Sequence, residues 1–589
     1  MQNAVAFADN DVITAAWSYG NKPNGCMGFA VYRIDAAGKE TPLPSHAVFP
    51  GFQIKKGQTT KEFPVQKFYW KDPYARLIAE KTGQRTFRYK VVPLEGKPGH
   101  LKPMNLPNII SNEVTISSAI SPGTDAFFNR GLISTQSVSR AFQGKPSKAK
   151  LLPEIADEKS ALRASLSGDM VEALTNFVDR AKTAGKIYAA LYELGDEQLI
   201  KKLTALKKRL HIVLSNSVVT DTKTKKKSDG NQDARDRLAK TAAEKYDRIM
   251  PNNHIGHNKF LVYTNKNGQP KAVLFGSTNW TSTGLCAQTN NTVVIENDDV
   301  AKRYLAYWKQ LAADTQNANG VAKSLQGKIL RTWGAVGKAL KFADGTSAGS
   351  WFSPNTPAAR SSNKTNEKCP GDMNDIIGLI NKAKHAILFL AFYPGTPSVA
   401  NWVGVAAKKD KNLFVRGCVT NKSASEAFYY ELKGESPPKR VKGEKKVYQQ
   451  DFRVFGAEAF DGKIIPTGWK HEILNAGFAI IHDKILVIDP FSDDCVVATG
   501  SHNLGYKASY DNDENMMIIQ GNKKLAMAYA THVLDIYGHF AFRYWVKRLG
   551  QKAADQFLET DPNEWMAKYY DAQGQIKNAQ LKFWMQAAS

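Results

Sequence analysis

The sequence predicts an α/β protein built from two similar halves and preceded by a small β-sandwich. Three observations carry that reading. The first ~115 residues are short alternating or β-branched runs separated by Gly, Pro and Asn. From about residue 120, helical patterns alternate with apolar strands, the pattern of an α/β sheet. The third is an internal repeat too long for a solenoid unit, which marks a duplicated domain half.

The strand candidates of the first region are Val12–Trp17, Gly28–Ile34, Thr86–Val92 and Asn112–Ile116. Their alternation predicts sheets with one buried face, hence a sandwich over 1–117. Trp17, the Tyr89-x-Val91 pair and the closing SNEVTIS resemble a fibronectin type III domain, which implies a role in packing or interaction. In the repeat, residues 171–216 and 375–421 each run helix, strand, helix, strand. Each copy carries Ala-Lys near the end of its first helix (Ala181-Lys182, Ala383-Lys384), and each closes on an asparagine, Asn216 or Asn421. This places the halves at 118–345 and 346–589. Basic polar segments follow each copy, with Lys223, Lys225, Lys226 and Lys227 in one and Lys439, Arg440, Lys442, Lys445 and Lys446 in the other. They read as loops, either solvated or gathering phosphate. Near the carboxyl end Tyr537, Phe540, Phe542, Tyr544 and Trp545 fall at helical spacing and are expected to face a core.

Bulk properties narrow the class. A chain of 589 residues exceeds one ordinary core, and 42% hydrophobic with 23% charged residues is a globular composition. No apolar run approaches the roughly 18 residues of a membrane span. The amino terminus lacks a basic stretch followed by an apolar one, so a cytoplasmic protein or export by a non-classical route is expected. The five cysteines are scattered without a C-x-x-C pair, which argues against a structural zinc and a disulfide framework. A formal charge of +25 points to a polyanionic partner, nucleic acid or an anionic lipid surface.

The residues that carry chemistry close the two halves. In IIHDKILVIDPFSDDCVVATGSHNLGYKASYDNDENMMII, His482 and Lys484 stand two apart, followed by Asp489, Gly500-Ser501-x-Asn503 and Glu514. In HNKFLVYTNKNGQPKAVLFGSTNWTSTGLCAQTNNTVVI, His257 and Lys259 repeat the spacing, with Gly276-Ser277-x-Asn279 behind them. Positions i and i+2 of an extended strand share a face, so each histidine projects beside its lysine. On an apolar strand this pair is costly unless it meets an anion.

The duplicated H-x-K-x(4)-D and G-S-x-N elements resemble the phospholipase D superfamily, as do FFNRGLISTQSVSRAF and WFSPN. The resemblance spans roughly residues 120–545. It implies two phospholipase D-like halves related by a pseudo-two-fold axis, with both motifs at one site, in a monomer. The chemistry it implies is phosphodiester cleavage without metal or other cofactor. Lys259 and Lys484 neutralise the phosphate together with the amides of Asn279 and Asn503 and the hydroxyls of Ser277 and Ser501. One imidazole attacks phosphorus and the other protonates the leaving oxygen.

The halves differ in one respect. Where the second carries Asp489 and Glu514, the first carries Thr264 and Asn290. If Glu514 and Asp489 flank His482, that imidazole is favoured as the charged acid and His257 as the neutral nucleophile. His254 and His471 have no place in the pattern. Three functions remain open: phospholipase D-type hydrolysis or transphosphatidylation of a phospholipid, a nuclease on DNA or RNA, and an inactive scaffold whose β-domain binds a partner.

Overall fold

Alternating apolar residues near the amino terminus build two antiparallel sheets. In the computed structural model, which describes residues 3–131, 141–142, 148–220, 227–342, 344–361, 367–438, 448–457, 480–549 and 557–586, Asn3–Ala8, Ile13–Ser18 and Tyr69–Asp72 form the first. Glu40–Pro42, Gly28–Ile34, Thr86–Lys97 and His100–Pro103 run in that order across the second, in which Ile109–Ile110 and Val114–Thr115 also pair with Thr86–Lys97. Trp17, Phe29, Phe68 and Tyr89 fill the space between them.

The first sheet departs from the expected single buried face. Ala4, Ala6, Ala15 and Trp17 point into the sandwich, whereas Val5, Phe7 and Ala16 point into the core shared by the two larger halves. The period of two is kept, but both faces are covered, because this sheet is also the surface on which the domain docks. The docking is polar as well. The Asn10 amide donates to Phe128 O (3.2 Å) and accepts from Phe128 N (2.9 Å), and Arg76 pairs with Asp169 (2.7 Å).

The carboxyl-terminal segment, grouped by sequence with the second half, returns to this domain. Trp565, Met566, Tyr569, Tyr570 and Leu581 join the sandwich core, and Trp565 Nε1 donates to Cys26 O at 2.8 Å. Of the aromatics expected to face a core on helix Lys523–Leu549, Phe540 is buried, but Trp545 is exposed.

The two halves have the same sheet, strand for strand. The first runs Ala119–Ser121, Thr124–Phe128, Asn291–Ile295, Pro270–Gly276, Lys259–Thr264, Lys186–Leu191, Leu210–Ser215, Glu244–Arg248. The second runs Lys338–Lys341, Ser347–Ser353, Glu514–Gln520, Val496–Gly500, Ile485–Ile488, Ala386–Ala391, Phe414–Val419, Val454–Gly456. In each, the repeat's two strands pair in parallel and the H-x-K strand joins them antiparallel. A parallel pair needs a crossover, supplied by helices Glu197–Ala205 and Val399–Lys409. The second sheet opens with Lys338–Lys341, ahead of the expected 345/346 boundary.

The halves meet along a buried polar seam. Asn515 Nδ2 donates to Asn258 Oδ1 (3.0 Å), and Asn291 Nδ2 donates to the Tyr529 hydroxyl (2.7 Å). Tyr304 of helix Asp298–Ala318 donates to Asn515 Oδ1 at 3.2 Å, the mirror of the Tyr529 contact. Arg248 is fully buried, paired with Asp513 (2.5 Å) across the seam and with Asp314 (2.8 Å). Removing one partner would strand a buried charge, so the seam resists piecemeal loss.

Candidate active site

The segment before each H-x-K strand is held by the opposite half. His482 N donates to Thr289 O (3.1 Å) and Thr289 N to Ile480 O (3.1 Å), while Asp513 N donates to Ile255 O (3.0 Å). Both histidines lie just before strands that start at Lys259 and Ile485. Their rings lie edge to face, 6.1 Å apart between centroids and inclined at 71°. His257, His482, Lys259 and Lys484 are all buried. The duplicated motifs therefore lie side by side, the arrangement that the family resemblance implies.

Each lysine folds back on its own histidine: Lys259 Nζ donates to His257 O at 2.8 Å, and Lys484 Nζ to His482 O. An aromatic ring lies against each pair. Tyr192 sits 5.2 Å from His257 and 5.1 Å from Lys259 Nζ; Phe392 sits 4.7 Å from His482 and 5.0 Å from Lys484 Nζ. The motifs did not point to these two rings. They occupy the same place in the repeat, directly after Leu191 and Ala391, so aligning the copies one residue further would have found them.

The carboxylate reading needs correction. Glu514 does not pair with His482; its Oε1 lies 3.0 Å from His257 Nδ1. His482 Nδ1 lies 2.8 Å from Asn290 Oδ1 instead. Asn290 and Glu514 stand at the starts of Asn291–Ile295 and Glu514–Gln520, strands of their own sheets whose ends meet the seam, so residues close in sequence to one histidine serve the other. Asp489 is also displaced from its expected place beside His482. It sits at the far end of the strand, where its carboxylate accepts from the amides of Lys384 (2.8 Å), His385 (2.8 Å) and Ala386 (2.7 Å). Asp489 thus caps the start of strand Ala386–Ala391.

These contacts fix where the protons lie. Asn290 Nδ2 donates to Gly284 O (2.8 Å), so its Oδ1 must face the Ser277 hydroxyl (2.9 Å) and His482. His482 Nδ1 therefore carries hydrogen. His257 Nδ1 faces two acceptors, Glu514 and Ser501 O at 3.1 Å, and carries hydrogen as well. With Nδ1 of each ring engaged, Nε2 is the nitrogen left for chemistry.

Both G-S-x-N asparagines reach carboxylates. Asn503 Nδ2 donates to Glu514 (3.3 Å) and Asn279 Nδ2 to Glu193 (2.5 Å), leaving one N–H of each for an anion. Glu193 was not singled out in the sequence, because no motif contains it. The serines turn to the neighbouring strand: Ser277 Oγ accepts from Asn291 N (3.0 Å) and Ser501 Oγ from Asn515 N (3.0 Å). Their hydroxyls hold the strands that carry Asn290 and Glu514, which is a different use from the expected contact with substrate. His254 bonds Gln326 (2.8 Å), apart from the imidazole pair. His471, the basic loop residues Lys223, Lys225, Lys226, Lys439, Arg440, Lys442, Lys445 and Lys446, and most of the FFNRGLISTQSVSRAF stretch lie outside the described residues.

Electrostatically the site buries two imidazoles and two lysines beside two carboxylates, Glu193 and Glu514. Burial and the field of Lys259 lower His257 to about 3, against the pull of Glu514. Burial lowers Lys259 to about 7, opposed by Glu514 and Glu193. His482 and Lys484 are held well below their ordinary values by burial and by the neighbouring lysines. Burial disfavours the Glu514 anion, yet the charge and hydrogen bond of His257 and the Asn512 amide outweigh it and hold Glu514 at about 2. An arriving phosphate would reverse the penalty on every cation. Among the described residues no group of three or more His, Cys, Asp or Glu has the arrangement of a metal site, and no helix is long and apolar enough to cross a membrane.

The profile of a family described as "Cardiolipin synthase, PLD-like domain" matches residues 174–312 and 376–535, just over half of the chain and part of each half. The chain belongs to this phospholipase D-like family. It is similar to phosphatidylserine synthase of Haemophilus influenzae Rd KW20, at 12% identity and TM-score 0.41, over 66% of this chain and 93% of that one. It is also similar to the phospholipase D family member Nuc of Salmonella typhimurium, at 23% identity and TM-score 0.19, over 25% of this chain and 87% of that one. A third likeness is to yeast tyrosyl-DNA phosphodiesterase, at 11% identity and TM-score 0.31, over 60% and 87%. No curated protein matches the sequence.

Proposed function

We propose that this protein is a phosphodiesterase that works through a phosphohistidine, with His257 as nucleophile and His482 as general acid. The observation that carries the reading is the pair of neighbouring imidazoles, each fixed through Nδ1. The His257 Nε2 lone pair attacks phosphorus as the bond to the leaving alcohol breaks, and His482 Nε2 gives that oxygen its proton. In the second step His482 takes a proton from water or an acceptor alcohol. That oxygen attacks phosphorus, and the P–N bond returns its electrons to His257.

The roles rest on different physics from the sequence argument. A carboxylate on Nδ1 makes His257 the more basic and nucleophilic imidazole and stabilises the charge it gains on phosphorylation. An amide carbonyl on Nδ1 leaves His482 the stronger acid once the field of the bound phosphate has let it take up a proton from solvent. Two lysines supply charge neutralisation, so no metal is required and turnover is expected to survive excess EDTA.

The substrate favoured is a phospholipid, cleaved or transferred in phospholipase D fashion. The family description, which names a phospholipid synthase, and the aromatic walls Tyr192 and Phe392 support it. The net charge of +25 favours the second reading, a nuclease. Mixed phospholipid vesicles and DNA and RNA, assayed in parallel with chelator, separate the two. Release of a lipid head group with intact nucleic acid is expected, and the converse would overturn the lipid assignment. An inactive scaffold would turn over none of them; the retained partner geometry at Asn290 argues for an intact site.

A further inference from the structure

The two halves differ most sharply, within the site, directly after the aromatic walls. Phe392 is followed by Tyr393, which is 53% exposed, and Tyr192 is followed by Glu193. Glu193 is anchored from three sides. Its Oε2 accepts from Asn279 Nδ2 (2.5 Å), its Oε1 from the Ser217 hydroxyl (3.2 Å), and its backbone carbonyl from Trp280 N (3.1 Å). Burial pushes its carboxylate up from the ordinary range, against the pull of Lys259, the Ser217 hydroxyl and Lys484. A carboxylate is therefore built into a pocket whose other groups attract anions, and it occupies an amide that would otherwise be free for substrate.

We propose that Glu193 selects substrates by charge, admitting a singly charged phosphodiester and disfavouring a dianion. The inference rests on the reading that this pocket holds phosphate. With both imidazoles neutral, the two lysines can at most balance Glu193 and Glu514. A monoanionic diester brings one further negative charge, which a single proton on His482 offsets. A dianion leaves one buried negative charge uncompensated, which a water-poor site penalises. The consequence is functional. A phosphomonoester product carries two charges near neutral pH and is driven out, while the diester that precedes it is retained.

The test is a binding measurement, independent of turnover. Sulfate, a dianion, and dimethyl phosphate, a monoanion, are titrated calorimetrically into the full-length protein, its Glu193→Gln variant and its Glu193→Asp variant. Gln keeps the acceptor for Asn279 and removes the charge; Asp keeps the charge. Glu193→Gln is expected to tighten sulfate about tenfold or more while changing dimethyl phosphate less than about threefold. Glu193→Asp should keep sulfate weak. Equal tightening of both anions would make Glu193 a general screen, and equal weakening would make it a structural support for Asn279; either result overturns the proposal. Failure of both anions to bind any of the three proteins would overturn the phosphate-site reading beneath it.

Discussion

His257 and Glu514 come from different halves of the chain, yet the imidazole Nδ1 and the carboxylate lie 3.0 Å apart in a fully buried pair. The bond does two things. It presents Nε2 as the reactive nitrogen, and it gives one half of a duplicated site an electrostatic partner that the other half, with Asn290 on His482, does not have.

Replacing Glu514 by Gln keeps the size and removes the charge. The account expects kcat to fall by about 10²-fold or more, because the nucleophile loses basicity and its fixed tautomer. KM should stay within about threefold, since Glu514 faces the imidazole and not the phosphate. Steady-state kinetics on a p-nitrophenyl phosphodiester checks this, and a change confined to KM would count against the pairing.

At the mirror position, Asn290→Asp places a carboxylate on His482. That favours the imidazolium, so the acid stays protonated to higher pH, and the alkaline limb of kcat/KM should move up by about one unit. The variant also loses the bond from Asn290 Nδ2 to Gly284 O, at a cost of about 1–3 kcal/mol in stability. A pH–rate profile with an unmoved alkaline limb would show that His482 is not the acid.

Anion binding should take up protons. Lys259 is lowered to about 7 in the free site, and a bound anion returns it toward the ordinary lysine value near 10.4. Between those values the complex holds more protons than the free protein, so affinity rises as pH falls from about 10 toward 7, by up to about tenfold per unit for this group. Dimethyl phosphate keeps its single charge across that range and is the proper probe. Calorimetry showing affinity that falls as pH is lowered would contradict the buried-cation account.

Asp489 separates structure from chemistry. Its three backbone bonds at the head of strand Ala386–Ala391 predict that Asp489→Ala lowers unfolding free energy by about 2–3 kcal/mol. Turnover below the new melting range should stay within about threefold of wild type. A large loss of kcat in a protein that remains folded would restore Asp489 to the site.

What was legible in the sequence follows from what local pattern encodes. The duplicated H-x-K and G-S-x-N elements gave the two halves and the four cationic residues, because spacing along a strand fixes direction. The repeat gave the helix–strand–helix–strand units that position Tyr192 and Phe392. The assignment of Glu514 to His482 came from counting along one chain segment, and chain distance carries no information about a seam where each half supplies the other's partner. Asp489 misled for a related reason: it lies far enough along its strand to serve the opposite end. The burial of both faces of Ile13–Ser18 depended on docking against the halves, which alternation alone does not reveal. Glu193 stands outside any repeated pattern and became visible only through its bond to Asn279.

The central claim is that the covalent intermediate forms on His257 and that His482 delivers the proton. A phosphodiester with a p-nitrophenyl leaving group and a radiolabelled phosphate tests both at once, since an activated leaving group needs no acid. In His482→Ala the account predicts release of p-nitrophenol and accumulation of a phosphoprotein, labile in acid and stable in alkali, with the label mapped to His257. In His257→Ala it predicts neither label nor release. Label accumulating on His482 in His257→Ala, and none in His482→Ala, would contradict the assignment.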